Sequence, residues 1–188
     1  ALKAIEENQD FNLLVLSSDQ NIKNEKIFLN TIKRGLVHSE KNKLVTFGVV
    51  PESPETGYGY IRSEQPYDLD NIKGNRILEF FEKPNLERAK EFIKDKHFTW
   101  NSGIFIFKAK KILDEIEKNN PQIIKNCKNS LINSRKDLDF IRIKKDDFLN
   151  CKNISIDNAV MEKTLEGIVL PLNVGWNDIG NWKSVWDI

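Results

Sequence analysis

FNLLVL, residues 11–16, is a nearly unbroken apolar run closed by Ser17, Ser18 and Asp19. A half-exposed strand alternates apolar and polar residues, so a continuous run predicts a strand buried on both faces, as in a parallel sheet. Beyond it, Ile27, Phe28, Ile32 and Leu36 make an inward stripe along a helix over residues 25–38. A second apolar run, LVTFGVV at 44–50, follows and is closed by Pro51. Strand, helix and strand in this order form a βαβ unit and predict a parallel sheet covered by helices.

The rest of the chain extends that pattern. Residues 1–7 read as a short helix, and 60–64, 76–82, 103–107 and 168–172 as strands. Helices are expected over 86–94, with Asn85 as N-cap, and over 110–118, stopped by Pro121. The Lys- and Asn-rich stretch 122–147 reads as helix, loop and solvated face, and 155–163 as a short capped helix. The loop 173–180 leads to a terminal helix. The expectation is one α/β domain over residues 1–188.

Composition narrows the function classes. With 188 residues, 39% of them hydrophobic, and with 11 Phe and 4 Trp, the chain can bury a sizeable core. Lys+Arg 29 against Asp+Glu 28 leaves no basic field to attract nucleic acid. No apolar run approaches the ~20 residues of a membrane span, and ALKAIEENQDF lacks the layout of a signal peptide. Cys127 and Cys151 are too few for a disulfide framework and are expected to be free thiols in a reducing cytoplasm. The chain begins without Met, in what reads as the end of a helix, so its length is read as that of a fragment.

Several polar residues stand where chemistry is done. Asp19 follows the first strand, at the sheet edge where ligands of open α/β folds bind; it could hold Mg²⁺ through oxygen or merely cap the next helix. Asp178, in GWNDIG, sits in a tight loop after the last strand and could equally be a turn residue. Gly57-Tyr58-Gly59 offers a backbone that a ligand can approach closely, or a plain hairpin loop. Glu82 can accept sugar hydroxyls and Lys83 can meet a phosphate, although a solvated charge pair reads the same. Asn101, in WNSG, can donate and accept hydrogen bonds beside a Trp ring, or belong to a turn with a packed Trp. His38 and His97 have no partners spaced for metal or triad chemistry and read as surface residues.

Taken in order, PESPETGYGYI, FFEKP, TWNSGIFIF, SIDNAVMEKT and GWNDIGNW resemble the sugar-phosphate nucleotidyltransferases, most closely the bacterial mannose-1-phosphate guanylyltransferases. The resemblance runs from about Leu13 to the end of the chain. It implies a Rossmann-like mixed, mainly parallel sheet with helices on both faces. It also implies formation of GDP-mannose and pyrophosphate from GTP and mannose 1-phosphate with Mg²⁺, in the cytoplasm, within polysaccharide biosynthesis. By motif, Asp19 and Asp178 resemble the metal-holding aspartates. Glu82 and Asn101 resemble sugar-holding groups, Lys83 the partner of the sugar phosphate, and the loop Gly57, Tyr58, Gly59 the segment along the sugar nucleotide. Asp157 and Lys163 match a motif near the site and carry a supporting role, while Trp176 and Trp182 read as packing. Ser18-Asp19-Gln20 departs from the family's usual Ala-Asp-His. The family's Gly-rich nucleotide loop has no counterpart ahead of Ala1, so the chain is expected to be N-terminally incomplete and inactive alone. An exposed sheet edge at FNLLVL would then make it unstable or a homo-oligomer.

Overall fold

Leu44–Val49 is buried at all six of its residues, and the sheet is built around it. The computed structural model describes residues 1–7, 9–180 and 182–186. In chain order the elements begin with α1 (Leu2–Glu6), β1 (Asn12–Val15), β2 (Asn21–Ile22), α2 (Glu25–Ser39), β3 (Leu44–Val49) and β4 (Tyr60–Ser63). They continue with β5 (Asn75–Phe81), α3 (Leu86–Phe92), β6 (Phe98–Lys108), α4 (Ala109–Asn119), α5 (Pro121–Ile132), β7 (Arg135–Asp137) and β8 (Phe140–Arg142). Last come α6 (Lys145–Leu149), a π-helical turn (Asp157–Met161), β9 (Gly167–Leu172), β10 (Trp176–Asn177) and α7 (Trp182–Trp186). The chain packs as two compact units, each discontinuous in sequence: residues 1–11 with 109–164, and 12–108 with 165–188.

The second unit holds a six-stranded sheet in the order β1-β6-β3-β9-β5-β4, with β4 pairing β6 as well. Among the described residues, the one parallel pairing in this sheet is β3 with β9, from Leu44↔Gly167 to Val49↔Leu172; its other pairings are antiparallel. The sheet is therefore mixed, as expected, but not mainly parallel. The predicted βαβ unit does form, since β1 and β3 both run antiparallel to β6 and hence parallel to each other. What the local pattern missed is the place of β6: the strand expected over 103–107 is 11 residues long and lies between β1 and β3.

FNLLVL takes the sheet-edge place expected of it, but Leu14, Val15 and Leu16 are 41–51% exposed rather than buried on both faces. A continuous apolar pattern reports side-chain chemistry, not a place in the middle of a sheet. On α2 the inward face is Phe28, Thr31, Ile32, Gly35 and Ser39, so Ile27 points outward against expectation. Asn24 caps this helix by accepting from the Ile27 amide at 3.1 Å, and Asn85 caps α3 from the Arg88 amide at 2.9 Å. WNSG lies inside β6 rather than at a turn. Trp182 is 89% exposed, which leaves the packing reading to Trp176 alone.

The first unit gathers α1, α4, α5, α6, the β7–β8 hairpin and the π-helical turn, where an ordinary short helix was expected. Pro121 opens α5 as its first residue as well as ending the helix before it; there its missing N–H is no loss. No helix among the described residues is long and apolar enough to cross a membrane.

Gly48 lies opposite Asn101, next to a register shift in the β3–β6 ladder. A Cβ there would overlap the Thr99 side chain and come within 2.8 Å of Val169. Gly48→Ala is expected to destabilise the fold by about 1–3 kcal/mol through overpacking, read as an earlier denaturant midpoint. An unchanged midpoint would show that β6 gives way freely.

Candidate functional site

β3 and β9 run parallel and end side by side at Val49 and Leu172, so both chains leave the sheet at the same edge. A cleft of about 240 Å³ opens there, lined among others by Lys23, Glu52, Trp100, Asn173, Trp176 and Asn177. Ligands of parallel sheets bind at this carboxyl edge. A larger cavity of about 330 Å³ lies in the other unit, but its walls are mainly apolar. Convergent polar groups single out the smaller one.

A two-stranded ladder organises the mouth of the cleft. Trp176 pairs with Ile22 and Asn177 with Asn21. Asp178 follows β10 directly, and Asp19 precedes β2 by two residues. The ladder thus brings the two predicted metal-holding loops into one cluster, although they stand at opposite ends of the sequence.

Gln20 ties this cluster to the main sheet. Its Nε2 donates to the Ser102 carbonyl at 2.7 Å, and its Oε1 accepts from the Trp176 indole N–H at 3.1 Å. One amide, by donating and accepting together, links the loop of Asp19, the strand of Asn101 and the strand leading to Asp178. Sequence reasoning marked Gln20 only as a departure and did not see this role. It missed Lys23, Glu52 and Asn173 as well; their one sequence signal was their position in loops just past predicted strands.

Asp178 is held from two sides. Its Oδ1 accepts from the Tyr58 hydroxyl at 2.9 Å and from the Gly180 amide at 3.1 Å, while Oδ2 has no hydrogen-bond partner among the described residues. The next residue, Ile179, has φ +52°, a left-handed conformation that is costly for a β-branched side chain. Tyr58 stands edge-on to Trp100 and Trp176, with ring centroids 5.1 and 5.5 Å away. Burial pushes its phenol well above the ordinary 10.0, and the hydrogen bond and charge of Asp178 push it further.

Three more predicted residues meet nearby. The Asn101 amide donates to the Gly59 carbonyl at 2.8 Å. A Cβ on Gly59 would come within 3.2 Å of Glu82 Oε2 and 3.7 Å of Asn101 Cβ, so glycine leaves this spot open. The Asn101 Oδ1 accepts from Thr46 and from the Gly103 amide, both at 3.3 Å. Lys83, exposed, lies 3.8 Å from Glu82 and has φ +44°, again strained at a loop that follows a strand. Asp157 and Lys163 belong to the other unit, Asp157 at the start of its π-helical turn.

The donor set suits a hard divalent cation. Asp19 and Asp178 offer carboxylate oxygens, and the Asp178 Oδ2 is open; Mg²⁺ commonly takes one or two carboxylates and keeps its other positions for water and phosphate. No group of three or more His, Cys, Asp or Glu side chains suited to a metal occurs among the described residues.

Two outcomes check this geometry. Asp178→Asn removes the charge beside Tyr58, so the phenol is expected to titrate lower, though still above its ordinary value because burial remains. Alkaline difference absorbance reads this, and an unmoved transition would mean that the hydrogen bond is not formed. Since folding raises this pKa, the stability it contributes is complete below pH 10.0 and is lost as pH climbs beyond it. Gln20→Leu orphans the Ser102 carbonyl and the Trp176 N–H and is expected to cost about 1–3 kcal/mol, with a shift in tryptophan emission; native-like values for both would remove Gln20 from the framework.

A family model described as Nucleotidyl transferase matches residues 1–188. A mannose-1-phosphate guanylyltransferase of Salmonella montevideo is 46% identical over 191 residues, which cover 100% of this chain and 40% of the relative. A mannose-1-phosphate guanylyltransferase of Escherichia coli (strain K12) is 41% identical over 177 residues, 94% of this chain and 37% of the relative. Among solved structures, a mannose-6-phosphate isomerase from Helicobacter pylori is similar with a TM-score of 0.81 at 33% identity, over 94% of this chain and 68% of that one. The chain spans about two-fifths of the length of these curated relatives.

Proposed function

We propose, from the premise that this chain belongs to the nucleotidyl transferase family, that it supplies the sugar and metal side of a site joining GTP and mannose 1-phosphate into GDP-mannose and pyrophosphate. The observation that carries this reading is the β2–β10 ladder, which sets the loops of Asp19 and Asp178 beside the polar cleft. The printed names support the sugar: mannose phosphate recurs in the curated relatives and in the solved structure, although the reactions named differ.

The chemistry follows from charge. A phosphate oxygen of mannose 1-phosphate attacks the α-phosphorus of the nucleotide in line, and pyrophosphate departs with the electron pair of the broken P–O bond. The attacking phosphate is ionised at neutral pH, so no protein base is required. Both reactants are anions, and the protein's task is to hold them together and offset their repulsion. Asp19 and Asp178 would hold Mg²⁺, which supplies charge neutralisation and orientation at the phosphates. Tyr58 and the Gly180 amide keep the Asp178 carboxylate in place with one oxygen still open. Lys83 presents its ammonium to the sugar phosphate, Glu82 and Asn101 take sugar hydroxyls, and the bare backbone at Gly59 lets the sugar nucleotide lie close.

Titration calorimetry tests the sugar half directly. Mannose 1-phosphate and GDP-mannose are expected to bind in the presence of Mg²⁺, mannose 1-phosphate in preference to glucose 1-phosphate. Lys83→Ala should weaken binding about tenfold or more, the effect of losing one charged hydrogen bond. Asp19→Asn and Asp178→Asn should abolish the Mg²⁺ dependence. Equal binding of the two sugar phosphates would sink the mannose assignment, and binding indifferent to Mg²⁺ in the unaltered chain would sink the metal site.

A further inference from the structure

Cys127 and Cys151 play no part in the site above, yet their Sγ atoms lie 3.8 Å apart. Both thiols are free, half-buried and in the unit of residues 1–11 and 109–164. Cys127 sits on α5, and Cys151 lies just beyond α6. The separation is a van der Waals contact between sulfurs, short of the about 2.0 Å of a disulfide by a distance that small side-chain movements can close.

Neighbouring ties hold the two segments in register. The buried Asn126 side chain donates to the Asn150 carbonyl at 2.7 Å, one residue before each cysteine. One turn further along α5, the Lys144 amide donates to the Ser130 carbonyl at 3.0 Å. Asn133 reaches Asp147 at 3.4 Å. The sulfurs are thus presented to each other by bonds on either side of Cys127 that hold the segment leading to Cys151. Cys127 also lines the apolar cavity of this unit, together with Ile143 and Phe148.

We propose that Cys127 and Cys151 form a reversible dithiol–disulfide pair, oxidised by a small-molecule disulfide, that locks residues 144–151 onto α5. One of the two thiols gives its proton to solvent, and its thiolate attacks one sulfur of the small disulfide, releasing one small thiolate. That thiolate takes the proton of the other cysteine. The second cysteine sulfur then attacks the first and expels the second small thiolate, which is protonated from solvent. Two protein S–H bonds become one S–S bond, and the small disulfide is reduced by two electrons to two thiols. Burial raises the Cys127 thiol above its ordinary range, with the adjacent Cys151 adding to the effect, so closure speeds up as pH rises.

The chain is incubated with excess oxidised glutathione, and thiols are then counted under denaturing conditions alongside intact mass and peptide mapping. The expected product is a monomer lacking two hydrogens, with residues 127 and 151 cross-linked and no glutathione retained. Cys127→Ser and Cys151→Ser should each stop at a stable glutathione adduct on the cysteine that remains. The oxidised chain should melt roughly 5–10 °C higher, from closure of an intermediate-length loop, and dithiothreitol should reverse all of it. Glutathione adducts that persist on the unaltered chain, cross-links between chains in place of the internal one, or thiols untouched while the denatured chain oxidises would each overturn the proposal. The single-cysteine adduct keeps the test decisive even if one variant folds poorly.

Discussion

A strand buried at all six positions must satisfy its backbone on both edges, because an unpaired buried N–H or C=O is costly. β3 is such a strand, and β9 on one side and β6 on the other meet that requirement. The rest of the second unit depends on this pairing. It makes β3 and β9 end together, and their outgoing loops become the walls of the polar cleft. It also holds β6 close enough to β3 that Gly48 faces Thr99 without room for a side chain.

On this scaffold a few polar side chains do the positioning. Gln20 joins three segments through one amide, and Tyr58 joins the loop after β3 to the loop after β10. Both work in partly buried surroundings, where a hydrogen bond is electrostatically stronger and a missing partner costs more than at the surface. Ile179 and Lys83 carry left-handed backbone in the same region. Such strain persists only where surrounding contacts over-determine the chain, and at Ile179 those contacts are the Asn177 and Asp178 side chains binding the Ile179 and Gly180 amides.

Much of this was legible beforehand. The helix and strand positions in the second unit were readable because apolar spacing and Asn caps act locally, as at α2 and α3. The site candidates Gly59, Glu82 and Asn101 came from short strings and do meet in space. What escaped was relational. FNLLVL looks buried on both faces because it is apolar, yet β6 occupies the place beside β3. Gln20 looks like an ordinary loop residue because its partners lie 82 and 156 positions away. The thiol pair was invisible for the same reason, since the two cysteines stand 24 positions apart, across helix, hairpin and helix.

By itself the sequence determined the class of the fold, the positions of most elements, and which side chains could do phosphate and metal chemistry. These depend on local periodicity, capping and residue type, which act over a few residues. Only the tertiary structure decided the strand order, the mainly antiparallel pairing of the sheet, the meeting of the Asp19 and Asp178 loops, and the bonds that orient them. Those outcomes depend on which distant segments bury one another's backbone, and no local pattern encodes that choice.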